Sequence, residues 1–84
     1  MQKIEMYTTN FCPYCVRAKM LLQKKNVLFT EYAIDSNPSL RKEMMARSKS
    51  HTVPQIFIAN QSIGGCDELH ALQHSGQLDK ILSQ

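Results

Sequence analysis

The fold is read from one stretch, Ile4-Glu5-Met6-Tyr7-Thr8-Thr9-Asn10-Phe11-Cys12-Pro13-Tyr14-Cys15. In its first half Ile4, Met6 and Thr8 alternate with Lys3, Glu5 and Tyr7. A period of two is that of a strand, expected over about residues 2–8. In its second half a proline directly follows a cysteine. Pro13 suits the first position of a helix, where a backbone N–H has no intrahelical partner to lose. From Pro13 to Lys25 the residues are good helix formers, with Cys15, Ala18, Leu21 and Leu22 along one face and Asn26 as the cap. The two cysteines therefore fall where a strand hands over to a helix.

That placement carries chemistry. The thiolate, not the thiol, attacks a disulfide. A helix N-terminus offers unpaired N–H groups and partial positive charge, which favour an anion there. Cys12 is the expected nucleophile. Cys15, one helical turn on and more enclosed, is the expected resolving thiol. The competing reading is a metal site, because Cys-x-x-Cys opens many zinc sites and His70 and His74 have ligand spacing. However, 54 residues separate Cys15 from His70, and the chain has no second Cys-x-x-Cys. No metal is expected, and both histidines are expected on solvated helix faces.

Outward from this centre, residues 27–34 (VLFTEYAI) are rich in β-branched and aromatic types and predict a second strand. Asp35-Ser36-Asn37-Pro38 signals a helix start, and Leu40 and Met44 mark a helix over about 39–48. Residues 55–59 and 61–64 read as a hairpin pivoting on Asn60-Gln61. Asp67 is the expected cap of a helix ending at Ser75-Gly76, and Leu78, Ile81 and Leu82 mark a final short helix. The order β-α-β-α-β-β-α-α implies a parallel pair joined by a right-handed crossover, followed by antiparallel strands. The expectation is an α/β fold, a four-stranded mixed sheet with helices on both faces.

The chain of 84 residues, 43% of them hydrophobic, is expected to form one domain, 1–84, with a modest core. The alternating N-terminus is unlike a signal peptide, and no stretch approaches a membrane span, so a cytoplasmic protein with no membrane partner is expected. Three cysteines fit a reducing compartment better than a disulfide-stapled one. A net charge of +3 from dispersed Lys and Arg gives no basis for nucleic-acid binding.

Three motifs, Cys12-Pro13-Tyr14-Cys15, Thr52-Val53-Pro54 and Gly64-Gly65-Cys66-Asp67-Glu68-Leu69, together resemble the glutaredoxin family over nearly the whole chain. The match is to the short bacterial dithiol glutaredoxins of the glutaredoxin 3 type. Thioredoxins differ in having Trp before Cys-Gly-Pro-Cys, whereas Phe11 precedes Cys12 here. The resemblance implies a thioredoxin-like fold and a monomer with no tightly bound cofactor. It also implies glutathione as co-substrate, with glutathionylated or disulfide-bonded proteins as partners. It places Val53 against the cysteinyl part of glutathione, with Thr52 beside it and Pro54 cis. Gly65, Cys66 and Asp67 would hold the γ-glutamyl end, Tyr14 would flank the sulfur and Arg41 would meet the glycyl carboxylate.

The chain departs from the family pattern in two places. Thr9 stands where many glutaredoxins have Lys, and Ser48-Lys49 where many have Ser-Gly. Lys49 is the expected substitute for the missing charge, and His51 is expected near the site. Cys66, expected at the exposed edge of the site, leaves a redox-sensing role open. Two other functions stay open at this level: a thioredoxin-like reductase fed by a flavoprotein, and a carrier of a bridging iron–sulfur cluster.

Overall fold

The computed structural model describes residues 2–84; Met1, the first residue of the expected 1–84 domain, lies outside them. β1 (Ile4–Thr8) is followed by α1 (Pro13–Lys24), β2 (Thr30–Ala33) and α2 (Pro38–Ser48). Then come β3 (Gln55–Ile58), β4 (Gln61–Gly64), α3 (Cys66–Ser75) and α4 (Gln77–Leu82). The sheet order is β2-β1-β3-β4. β1 runs parallel to β2 and antiparallel to β3, and β3 pairs antiparallel with β4. The expected element order and mixed four-stranded sheet are present.

Each face of the sheet is covered, and the alternation of β1 decides which side chain meets which cover. Ile4 and Met6, with Ile56 and Ile58, pack against Ala18 and Leu22 of α1, Leu69 of α3, and Leu78 and Leu82 of α4. Tyr7 and Phe57 point the other way, onto Met44 of α2 and Ile34. Being central, β1 is buried on both faces, Glu5 and Thr8 included. Glu5 is satisfied by Arg47 and by the Tyr32 hydroxyl at 2.9 Å, and the Thr8 hydroxyl donates to Glu31 at 2.7 Å.

Several boundaries differ from those expected. β2 begins at Thr30, because Val27 and Phe29 turn inward against the α1–α3 core while Leu28 stays exposed. Lys25 closes α1, and Asn26 just beyond it takes the left-handed conformation (φ 59°). The hairpin pivots one residue earlier, on Ala59-Asn60, with Ile58 opposite Gln61. Both turn residues have positive φ, 52° and 66°. This is the twist a two-residue hairpin turn needs, and Asn supplies half of it readily.

Candidate functional site

β1 is an interior strand of the sheet, and the loop beyond its C-terminal end is pinned at Asn10. The Asn10 N–H donates to both carboxylate oxygens of Asp35, at 3.0 and 2.9 Å. Phe11 then takes a left-handed conformation (φ 58°), Cys12 is extended, and Pro13 opens α1. Cys12 is the N-cap. Its sulfur accepts the Cys15 N–H at 3.1 Å, and its carbonyl accepts the Val16 N–H at 3.1 Å. A donor aimed at Sγ at a helix N-terminus is the arrangement that stabilises a thiolate once the pair is reduced.

Cys12 and Cys15 are joined by a disulfide, with their Cα atoms 5.2 Å apart. The two sulfurs are not equivalent: Cys12 is half-buried, whereas Cys15 is 1% exposed in the core-facing stripe of α1. An incoming disulfide reaches Cys12 first. Cys15 is placed to attack only a bond that already includes Cys12.

Beside the pair lies a groove of about 340 Å³. α1 contributes Tyr14 rather than either sulfur to its lining. The chain between α2 and β3 contributes Thr52, Val53 and Pro54, and the β4–α3 turn contributes Gly64, Gly65, Cys66 and Asp67. Seven of the eight residues predicted to bind glutathione therefore surround one cavity. The Val53-Pro54 bond is cis, as expected. A Cβ on Gly65 would stand 3.2 Å from the Pro54 carbonyl oxygen, so the two segments cross at a point that leaves little room for a side chain.

Arg41 is the eighth, and the structure does not bring it to the groove. It lies on the exposed side of α2. Lys49, the left-handed cap of α2 (φ 61°), and His51 are also exposed and outside the lining. No Lys or Arg is among the lining residues. Anion binding in the groove therefore falls to N–H groups and hydroxyls, including the first turn of α3, whose N–H groups lack intrahelical acceptors.

Sequence reasoning missed Ser48, Ser50, Gln55, Ser62 and Glu68, all of which line the groove. Gln55, 4% exposed, donates from Nε2 to the Thr52 carbonyl at 2.9 Å and holds the segment before β3 in place. A glutamine among apolar strand residues was its signal. Glu68 corrects the expected cap of α3. The cap residue is Gly65, whose N–H donates to the Glu68 carboxylate at 2.7 Å, while Asp67 sits inside the first turn. Glu68 at the third helical position supplies the half of a capping box that a glycine cap allows, its carboxylate on the cap N–H.

Cys66 also differs from expectation. It is 4% exposed, packed within the α1–α3 core. Burial pushes its thiol above the usual range, with Asp67 and Glu68 adding to the rise and Arg17 opposing it. A buried thiol that ionises reluctantly lacks the exposed thiolate a redox sensor uses. His70 is half-buried on α3 rather than solvated, and His74 is exposed. Among the described residues, no three His, Cys, Asp or Glu side chains gather into a metal-holding cluster. No helix among them is long and apolar enough to cross a membrane.

A family model for glutaredoxin matches residues 4–63, a span that holds the cysteine pair, the cis-proline and most of the sheet. The chain belongs to the glutaredoxin family. It is similar to a glutaredoxin of Pseudomonas aeruginosa, 53% identical over 83 residues and covering 99% of each chain. It is also similar to glutaredoxin 3 of Escherichia coli, 55% identical over 82 residues, covering 98% of this chain and 99% of that one. Among solved structures, the solution structure of a glutaredoxin from Brucella melitensis superposes with a TM-score of 0.85 at 48% identity, covering 98% of this chain and 89% of that one. The fold is thioredoxin-like, and membership makes this glutaredoxin a thiol–disulfide oxidoreductase, with Cys12 and Cys15 standing at disulfide distance.

Proposed function

We propose that this glutaredoxin is a glutathione-dependent reductase of protein–glutathione mixed disulfides and protein disulfides, acting as a single domain of residues 1–84, monomeric and cytoplasmic. The observation that carries the reading is the groove beside the disulfide. An extended tripeptide with anionic ends suits a cleft lined by Val53 just ahead of β3, a helix N-terminus at Cys66 and Asp67, and no bulky side chain at Gly65. The Asp67 carboxylate is free to meet the γ-glutamyl ammonium, because Glu68 takes the capping role.

The Cys12 thiolate attacks the glutathione sulfur of a mixed disulfide. The old S–S bond breaks, the protein leaves as a thiolate that takes a proton from solvent, and Cys12 becomes glutathionylated. A second glutathione thiolate attacks that sulfur, giving oxidised glutathione and free Cys12. With a protein disulfide, Cys12 first bonds to the client; Cys15 then attacks Cys12 and expels the reduced client, leaving the Cys12–Cys15 disulfide for two glutathiones to reduce.

The test is turnover of a glutathionylated peptide coupled to NADPH and glutathione reductase. Wild type and Cys15→Ser are expected to be active and Cys12→Ser inactive, whereas Cys15→Ser loses activity on protein disulfides. Full activity of Cys12→Ser would refute the mechanism, and turnover only with a thioredoxin reductase system would refute the glutathione dependence.

A further inference from the structure

Phe11 is used by neither the fold nor the groove, yet the chain holds it in a disfavoured conformation next to the nucleophile. Its side chain is fully exposed, at 102%. Its φ of 58° is a region that bulky residues rarely occupy. The loop cannot relax it away, since Asp35 grips the Asn10 N–H on one side and the Pro13 ring fixes the helix start on the other. The ring belongs to neither core cluster and does not line the groove. Strain and exposure are thus retained together, one Cα step of about 3.8 Å from Cys12. Exposed apolar side chains continue past the cysteine at Tyr14 and Val16, at 55% and 49%.

We propose that Phe11 is a specificity-determining residue that contacts the protein half of the disulfide, favouring clients with an apolar side chain next to the reacting cysteine. The occupant follows from the reaction. When Cys12 attacks the glutathione sulfur, the client's sulfur is the leaving group, in line and one S–S bond beyond it; with a protein disulfide, the client's sulfur becomes the new partner of Cys12 itself. Under the glutathione reading, on which this inference rests, the groove behind Tyr14 is filled by glutathione. The client backbone is then left with the side that Phe11 occupies. An exposed aromatic ring there gains by covering an apolar side chain and gains little from a polar one. The electron balance is that of the exchange itself: the client disulfide gains two electrons, glutathione supplies them, and Phe11 forms no bond.

The experiment uses Phe11→Gly and Phe11→Asn, both compatible with a positive φ, so that loss of folding does not obscure the result. Three substrates are compared: a glutathionylated peptide with Leu on both sides of its cysteine, the same peptide with Ser flanks, and the small cysteine–glutathione mixed disulfide. Both variants are expected to lose about tenfold in kcat/KM on the Leu-flanked peptide and to stay within about twofold of wild type on the other two, with Phe11→Leu restoring most of the loss. An equal fall on all three substrates, or no fall on any, overturns the proposal. Should wild type turn over none of them, the glutathione reading is what has failed. The same peptides as symmetrical disulfides, presented to pre-reduced protein, then decide Phe11 alone: a tenfold effect confined to the Leu-flanked form sustains it, and an equal rate on both overturns it.

Discussion

Replacing Arg47 with Ala should destabilise this protein far more than removal of an ordinary surface ion pair. The Glu5 side chain is only 6% exposed, because α2 lies over that face of the central strand. Its carboxylate accepts from both terminal nitrogens of Arg47, at 3.0 and 3.3 Å, and from the Tyr32 hydroxyl at 2.9 Å. The guanidinium also lies 4.0 Å from the centre of the Phe57 ring and donates to the Tyr7 hydroxyl at 2.8 Å. Lys3, 3.8 Å from Glu5, is 64% exposed and cannot replace this fork. Removing one partner of a buried pair costs about 3–5 kcal/mol, and the lower end applies here because Arg47 is itself 24% exposed and water can follow it out. For a chain of this size about 3 kcal/mol lowers Tm by roughly 12–24 °C. Urea unfolding at pH 7 reads the free energy directly. The arginine fork, followed by the Tyr32 hydrogen bond, holds the Glu5 carboxyl below the usual carboxylate range despite the opposing cost of burial. A depressed folded value means the contribution is complete above the unfolded value of about 4.3 and is lost as pH falls through the folded one. The gap between wild type and Arg47→Ala should therefore narrow in acid. The double variant Glu5→Leu with Arg47→Met should recover most of the lost stability, since apolar packing can replace a buried pair. A loss below about 1 kcal/mol for Arg47→Ala, or a gap indifferent to pH, would show that the pair behaves as a solvated one and that the reasoning is wrong.

Two further outcomes follow from the same packing. Gly65→Ala places a Cβ 3.2 Å from the Pro54 carbonyl oxygen and should raise the KM for glutathione several-fold with kcat nearly unchanged and a stability loss of about 1 kcal/mol; an unchanged KM would mean that the groove is not the glutathione site. Tyr7 has its hydroxyl pushed up to about 12, first by burial and then by its bond to Glu43. Its unfolded form ionises near 10, so this contribution is complete below pH 10 and is lost as pH rises towards 12. Urea midpoints between pH 9 and 12 should fall more steeply for wild type than for Tyr7→Phe, and parallel curves would count against it.

What the sequence made legible was local chemistry. A cysteine before proline at a strand's end, a Val-Pro segment ahead of an apolar strand, and a Gly-Gly pair at a helix start each carry a physical signature within a few residues. The structure sets the last two, together with Tyr14 of the first, around one groove. The errors came where a distant element decides the outcome. The family resemblance places Cys66 at the exposed edge of the site, yet it is packed into the core with residues of α1. Leu28 sits in an apolar run but faces solvent at 86% exposure, because β2 begins only after the chain has turned. The expectation for Arg41 rests on the family resemblance and on the fit of a guanidinium fork to a carboxylate, and the azimuth of α2 turns the residue away from the groove.

The central strand shows how that limit arises. Its alternation of apolar with polar and aromatic residues has the period of a strand with one wet face, and a reading of residues 2–8 alone has no means to tell water from a covering helix. The cover is named only by partners far along the chain: Arg47 for Glu5 and Glu43 for the Tyr7 hydroxyl, 42 and 36 residues away. Once α2 is in place, Glu5 is a buried charge that must be answered, and α2 answers it with a guanidinium one turn beyond Glu43. The same closure orients β1, and with it the short loop through Asn10 that presents Cys12. The polar residues of β1 thus hold in place the helix that shields them, and the strand so fixed delivers Cys12 to the start of α1.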